Sequence, residues 1–236
     1  MVRWLTRPWA LALLAALSLL GVLLTLRQWD VFVAGFTTGF TPAALVGFLL
    51  ALTLTKSVHE LGHALTATRY GVRVGHMGVA FLVLWPFLYT DTGEAWRLAD
   101  RRQRLTIVAA GLLCELAVAG LATLAWHLTG NQDARQVFFY LATTAWVLSL
   151  LVNASPFMRF DGYFLLSDLL DLPNLHERSF ALARTWLRNT LLGWDEPYPE
   201  SFPPIRRRGL IAFALGTWLY RLVVFVGIAV ARILTR

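Results

Sequence analysis

The 236 residues are 57% hydrophobic and only 15% charged, with a mean hydropathy of +0.59, a balance that excludes an ordinary soluble domain. The formal net charge of +7 would invite a nucleic-acid partner in a soluble chain, but the basic residues cluster beside apolar runs, so they report membrane orientation and nucleic acid is set aside. Cys114 is the single cysteine; an intrachain disulfide and thiolate metal sites are therefore excluded, and any metal must use His and carboxylate.

The expected fold is an all-α polytopic membrane protein of about five transmembrane helices, read as one transmembrane domain over 1–236. The first span, 8–26, is an uncharged run between Arg7 and Arg27, long enough to cross a hydrocarbon core of roughly 30 Å. A secretory signal peptide would need a small-residue cleavage site before Arg27, and none is present. Further spans are expected at 43–68, 105–128, 137–155 and 209–230, of which 43–68 carries four ionisable side chains within TKSVHELGHALT. Between the second and third lies GVRVGHMGVAFLVLWPFLYTDTGEAW, whose Gly punctuation and β-branched and aromatic bias indicate a short β-hairpin or re-entrant loop; an interfacial loop with aromatic anchors is the alternative. An edge strand there could capture an unwound peptide by β-augmentation.

Residues 157–208 read as an amphipathic cytoplasmic section. One helix ends before Pro173, HERSFALARTWLRNTLLGW forms a second, and the Pro-rich WDEPYPESFPP is an extended connector to the final span. A basic surface facing anionic lipid is its simplest role. Arg3 and Arg7, the arginines of 69–104 and those of 157–208 all fall on one side of five spans, whereas the opposite loops, 27–42 and 129–136, carry only Arg27 and Arg135. The positive-inside rule makes the first side, with the N-terminus, cytoplasmic. Trp4, Trp9, Trp29 and Trp126 near span ends suit an aromatic belt.

The charges of the second span have a recognisable spacing. H-E-x-x-H puts His59 and His63 on one helix face with Cβ atoms roughly 5–6 Å apart, so both imidazoles can meet one cation. Zinc in that position would acidify water to a pKa of about 7 and polarise a carbonyl, while Glu60, beside the same face, accepts and then delivers a proton. Gly62 leaves room for close approach. Two packed histidines satisfied by neighbouring helices, or haem ligands, are the competing readings; ionisable groups at membrane depth favour the metal. Lys56 shares this face and could pair with Glu60 or a substrate carbonyl, or simply snorkel.

A catalytic zinc needs a third protein ligand. The candidates are Glu115 within span three, Asp161 after span four, and His76, Asp91 and Glu94 in the 70–95 loop. Asp161 is best placed: Pro156 interrupts the helix after Asn153, and Gly162 lets the backbone turn beside the carboxylate. An ordinary Asp-Gly turn is the plain alternative.

HELGH on an early transmembrane helix, followed about a hundred residues later by N-x-x-P-x-x-x-x-D-G (Asn153 to Gly162), resembles the site-2 protease family of intramembrane zinc metalloproteases. HELGHALTATRYGVRVGHMG, DTGEAWRLADRRQR, VNASPFMRFDGYFLLSDLLDLPNLHERS and WLYRLVVFVGIA resemble more closely its bacterial branch of peptide zinc metalloproteases, often encoded beside membrane-fusion adaptors of the haemolysin-secretion type. The resemblance implies that His59, His63 and Asp161 bind zinc and that Glu60 is general base and acid. It also implies that Asn153 orients substrate or stabilises an oxyanion, against the view that it is a helix cap. Many members carry G-P-x-x-N on the third helix; AGLLCE here puts Gly111 and Glu115 near that place, and Glu115 is either a support for the site or a bundle contact.

The function expected is therefore an intramembrane zinc endopeptidase acting on a membrane-embedded or exported peptide near the cytoplasmic face, in a bacterial inner membrane. A non-proteolytic peptide-binding accessory of an adaptor-type export system, or a metal carrier, would have no need of an intact Glu60 or of ligands focused on one closed site.

Overall fold

The structure is a computed structural model and describes residues 8–37, 42–82 and 85–234; Arg3, Trp4 and Arg7 lie outside them. Among the described residues, five helices are long and apolar enough to cross a membrane: Pro8–Arg27, Ala44–Arg69, Arg101–Leu128, Gln132–Asn153 and Pro204–Val230. Each overlaps an expected span. Their flanks expose Leu19, Leu23, Leu50, Leu54, Leu219, Leu222 and Phe225, a quantity of bare apolar side chain that water would not tolerate and lipid does. The chain is a multi-pass membrane protein. It divides into two compact units, Met1–Ser155 and Pro156–Arg236.

In the first unit, α1 (Pro8–Arg27) is followed by a short helix α2 (Trp29–Thr37) where a loop was expected. Asp30 in its first turn suits the positive end of the helix, and Phe32 packs edge-on against Trp126 and Phe139 at centroid distances of 5.5 and 5.3 Å. That contact, rather than any local signal, holds α2. Helix α3 (Pro42–Arg69) carries the H-E-x-x-H face. Strands β1 (Met77–Leu82) and β2 (Trp85–Thr90) form an antiparallel hairpin paired from Met77↔Thr90 to Leu82↔Trp85. Pro86 lacks an N–H, which a two-stranded ribbon accepts because each strand has an unpaired edge. Residues 83 and 84, between the strands, lie outside the described residues.

Helix α4 (Arg101–Leu128) starts at Asp100, whose carboxylate caps the Arg102 N–H at 2.8 Å. It is the central helix of this unit, packed by α1, α3 and α5 (Gln132–Val147). Small residues make that possible: a Cβ on Gly120 would lie 2.1 Å from the Ser18 Cβ, so only glycine allows α1 to approach this closely. After α5 the backbone widens into one π-helical turn, Leu148–Asn153, closed by the Ala154 N–H donating to the Ser149 carbonyl at 2.8 Å. The expected break before Pro156 is present, preceded by this turn. π-Turns of this kind re-aim side chains inside a helix, and here both Ser149 and Asn153 are buried.

The second unit contains α6 (Asp161–Leu169), α7 (Leu175–Leu192) and α8 (Pro204–Leu234). Its core is Tyr163, Leu172, Leu175, Leu182, Ala183, Leu210, Ile211 and Ala214. His176 is buried with its ring 4.2 Å from Tyr163 and 5.3 Å from Phe180 by centroid. Gly193, at φ 66°, ends α7 in the left-handed region. The connector after it has no regular structure, as expected, yet it is strapped to α7. Arg178 Nε donates to both Glu200 oxygens at 2.9 Å, and Asn189 exchanges hydrogen bonds of 2.9 and 3.0 Å with the Glu196 backbone.

Candidate metal centre

Four residues apart on α3, His59 and His63 are 3% and 9% exposed, and their Nε2 atoms face each other at 3.1 Å. The other nitrogen of each ring decides what those two can be. His63 Nδ1 lies 2.8 Å from the Ile107 carbonyl, and His59 Nδ1 lies 2.9 Å from Glu115 Oε1. Both partners are acceptors: the Ile107 carbonyl favours the hydrogen of His63 on Nδ1, and the Glu115 carboxylate stands close enough to His59 Nδ1 to favour the same tautomer there. In those tautomers two Nε2 lone pairs would meet in a buried space with room for a cation between them. Two nitrogens bound at 2.0–2.1 Å in a tetrahedron stand about 3.3 Å apart, close to the observed separation.

The opposite wall is shaped to suit. A Cβ on Gly111 of α4 would stand 2.4 Å from His63 Nε2 and 2.8 Å from His59 Nε2, so any side chain there would occupy the space between the ligand atoms. Two neutral imidazoles, preset tautomers and a glycine wall fit a borderline-soft divalent ion such as zinc. Glu60 reaches the same mouth, with Oε1 3.8 Å from His59 Nε2 and its side chain partly exposed. The Glu60 carbonyl also accepts from Thr90 Oγ1 at 3.2 Å, which ties the end of β2 to the motif-bearing helix.

Glu115, fully buried on α4, touches the far nitrogen of His59 and so stands behind a ligand rather than acting as one. Lys56 turns toward it instead of toward Glu60: Lys56 Nζ lies 3.3 Å from Glu115 Oε1 and 3.4 Å from Asn153 Oδ1. Asn153 Nδ2 donates to Glu115 Oε1 and Oε2 at 2.6 and 2.7 Å, and Ser149 Oγ donates to Oε2 at 3.1 Å. The amide of Asn153 is thus committed to Glu115. Sequence reasoning passed over Ser149; its only signal was the four-residue spacing to Asn153.

Among the other third-ligand candidates, His76 and Asp91 meet at 4.0 Å in the exposed segment flanking the hairpin, and Glu94 pairs with Arg97 at 3.3 Å, also exposed. Asp161 is the first residue of α6 in the second unit, followed by buried Gly162 and Tyr163.

The uncharacterized protein MJ0971 of Methanocaldococcus jannaschii is 32% identical over 71 residues, which cover 30% of this chain. The chain spans 20% of the length of that curated relative. No solved structure matches the chain significantly. Residues 47–152, the stretch that carries His59, Glu60, His63 and Glu115, match Peptidase family M50.

Proposed function

We propose that the protein is an intramembrane zinc endopeptidase in which His59, His63 and Asp161 hold the metal and Glu60 moves the proton. The observation that carries this reading is the pair of Nε2 atoms facing one another at 3.1 Å, with an acceptor close behind each ring. Asp161 is the third ligand of this proposal because the alternatives are engaged elsewhere: Glu115 backs His59, and Asp91 and Glu94 are exposed in surface pairs.

Zinc, when bound, supplies Lewis acidity toward water and the scissile carbonyl. Glu60 takes a proton from water at the mouth of the centre and returns it to the leaving nitrogen. Its partial exposure, beside two buried histidines, gives it access to both. A substrate helix must unwind before a carbonyl can reach the centre, and the hairpin anchored to the Glu60 carbonyl by Thr90 offers an edge on which an extended peptide can pair. Asn153 can serve an oxyanion only by releasing Glu115, so in this arrangement its contribution passes through that carboxylate. The substrate class is a membrane-embedded or membrane-associated peptide. The arginine-rich segments support a reading with the N-terminus and the cutting site at the cytoplasmic face; in this proposal the membrane is a bacterial inner membrane and a membrane-fusion adaptor is a fitting partner.

The test compares wild type with Glu60→Gln in detergent or proteoliposomes, measuring bound zinc and cleavage of membrane peptides. Retained zinc with lost cleavage is expected. Unchanged cleavage in Glu60→Gln would remove the base assignment, and a folded wild type that binds no zinc would remove the metal reading.

A further inference from the structure

We propose that Glu115, clamped by Lys56, Ser149 and Asn153, is the positioning residue of the metal centre, presenting His59 Nε2 to the ion by holding its Nδ1. This rests on the zinc reading above. A carboxylate in the middle of a transmembrane helix is costly unless its charge and lone pairs are met. Here they are met completely. Glu115 is 0% exposed, and receives Lys56 at 3.3 Å, Asn153 at 2.6 and 2.7 Å and Ser149 at 3.1 Å, with His59 Nδ1 standing 2.9 Å from Oε1. Those donors come from α3 and from the π-turn after α5, so one side chain of α4 ties three elements together at the level of the H-E-x-x-H face.

The five contacts differ in what they do. Lys56 balances the charge, while Ser149 and Asn153 occupy the directions in which the carboxylate could swing away. Only the contact to His59 leads to the centre. A carboxylate behind an imidazole selects its tautomer, fixes the ring plane and raises the basicity of the ligating nitrogen. His63 is held differently, by the backbone carbonyl of Ile107, so substitution of Glu115 weakens one ligand and leaves the other in place. The π-turn is part of the device, since it buries Ser149 and Asn153 together against the same carboxylate.

The experiment measures affinity of the full chain in detergent for Zn²⁺, by chelator competition, and the visible spectrum of the Co²⁺ form. Glu115→Gln is compared in the wild-type, His59→Ala and His63→Ala backgrounds. Loss of about 10–100-fold in Zn²⁺ affinity is expected for Glu115→Gln alone, with an altered Co²⁺ spectrum and partial recovery in Glu115→Asp. The same change should cost nothing further once His59 is Ala, yet retain its effect when His63 is Ala. Should Glu115→Gln fail to fold, Lys56→Met with Glu115→Gln removes both charges together and supplies the same comparison. Wild-type affinity and spectrum in a folded Glu115 variant, or an equal loss in the His59→Ala background, would overturn the positioning role while leaving the zinc reading intact. A wild-type chain that binds neither ion would overturn both.

Discussion

Gly111→Ala is the sharpest test of the shape of the centre, because it adds a single methyl group to a wall and changes no charge. That methyl would stand 2.4 Å from His63 Nε2, 2.7 Å from His59 Cε1 and 2.8 Å from His59 Nε2. Ordinary contact between such atoms is about 3.5–4.0 Å, so the rings must retreat by about 1 Å or α4 must move away from α3. Zinc–nitrogen distances tolerate about 0.2 Å, which rules out a shift of that size at both ligands together. We expect Gly111→Ala to lose at least 100-fold in Zn²⁺ affinity, equivalent to about 2.7 kcal/mol, and to lower stability by about 1–3 kcal/mol through overpacking. Chelator competition gives the first quantity and thermal unfolding in detergent the second. A Gly111→Ala protein with wild-type affinity and melting temperature would show that the space between the imidazoles is not where the ion sits.

In the second unit, burial, with Arg221 and Arg159 nearby, pushes His176 from its ordinary 6.5 down to about 4. The unfolded chain therefore takes up a proton below about pH 6.5 that the folded one refuses until about pH 4, so stability falls with pH across that window and levels off beneath it, by up to about 3 kcal/mol. His176→Phe should flatten the pH dependence of thermal unfolding between those limits, and an unchanged slope would count against the assignment. Thr90→Val removes the hydrogen bond to the Glu60 carbonyl; a loss of about 1 kcal/mol at the hairpin should raise KM roughly fivefold with zinc content unaltered, and an unaltered KM would detach the hairpin from substrate binding. The Arg178 guanidinium hydrogen-bonds Glu200 and holds its carboxyl below the usual range. Because the pair is about a third exposed and screened by solvent, Glu200→Gln should cost within about 1 kcal/mol, yet it should speed limited proteolysis of the connector after Gly193, and an unchanged cleavage rate would show the strap to be unimportant.

The five spans were legible because membrane thickness imposes a length and a composition that nothing else in the chain imitates. The pairing of His59 with His63 was equally legible, since four residues on a helix return to the same face. What the sequence withheld depends on contacts between distant segments. Helix α2 carries no stop or start signal strong enough to distinguish it from a loop, and becomes helical where Phe32 meets Trp126 and Phe139. The π-turn consists of one shifted hydrogen bond, from Ala154 to Ser149, which leaves no trace in hydrophobic periodicity. Lys56 was placed correctly on the motif face, but its choice of Glu115 over Glu60 is set by how closely α4 approaches, and that in turn by glycines at 111 and 120 whose purpose shows only once the neighbour is in place.

The Lys56–Glu115 pair bears on how the protein is made. A lone lysine or acid at the centre of a nascent segment costs about 2.5–3.5 kcal/mol on translocon-insertion scales; α3 brings Lys56 and Glu60, and α4 brings Glu115, whose partner is Lys56. Partitioned one at a time, α3 and α4 would each meet that penalty; released from the translocon together, they cancel most of it. Biogenesis of this chain should therefore hold α3 at the lateral gate until α4 emerges from the ribosome, so that Lys56 and Glu115 enter lipid already paired.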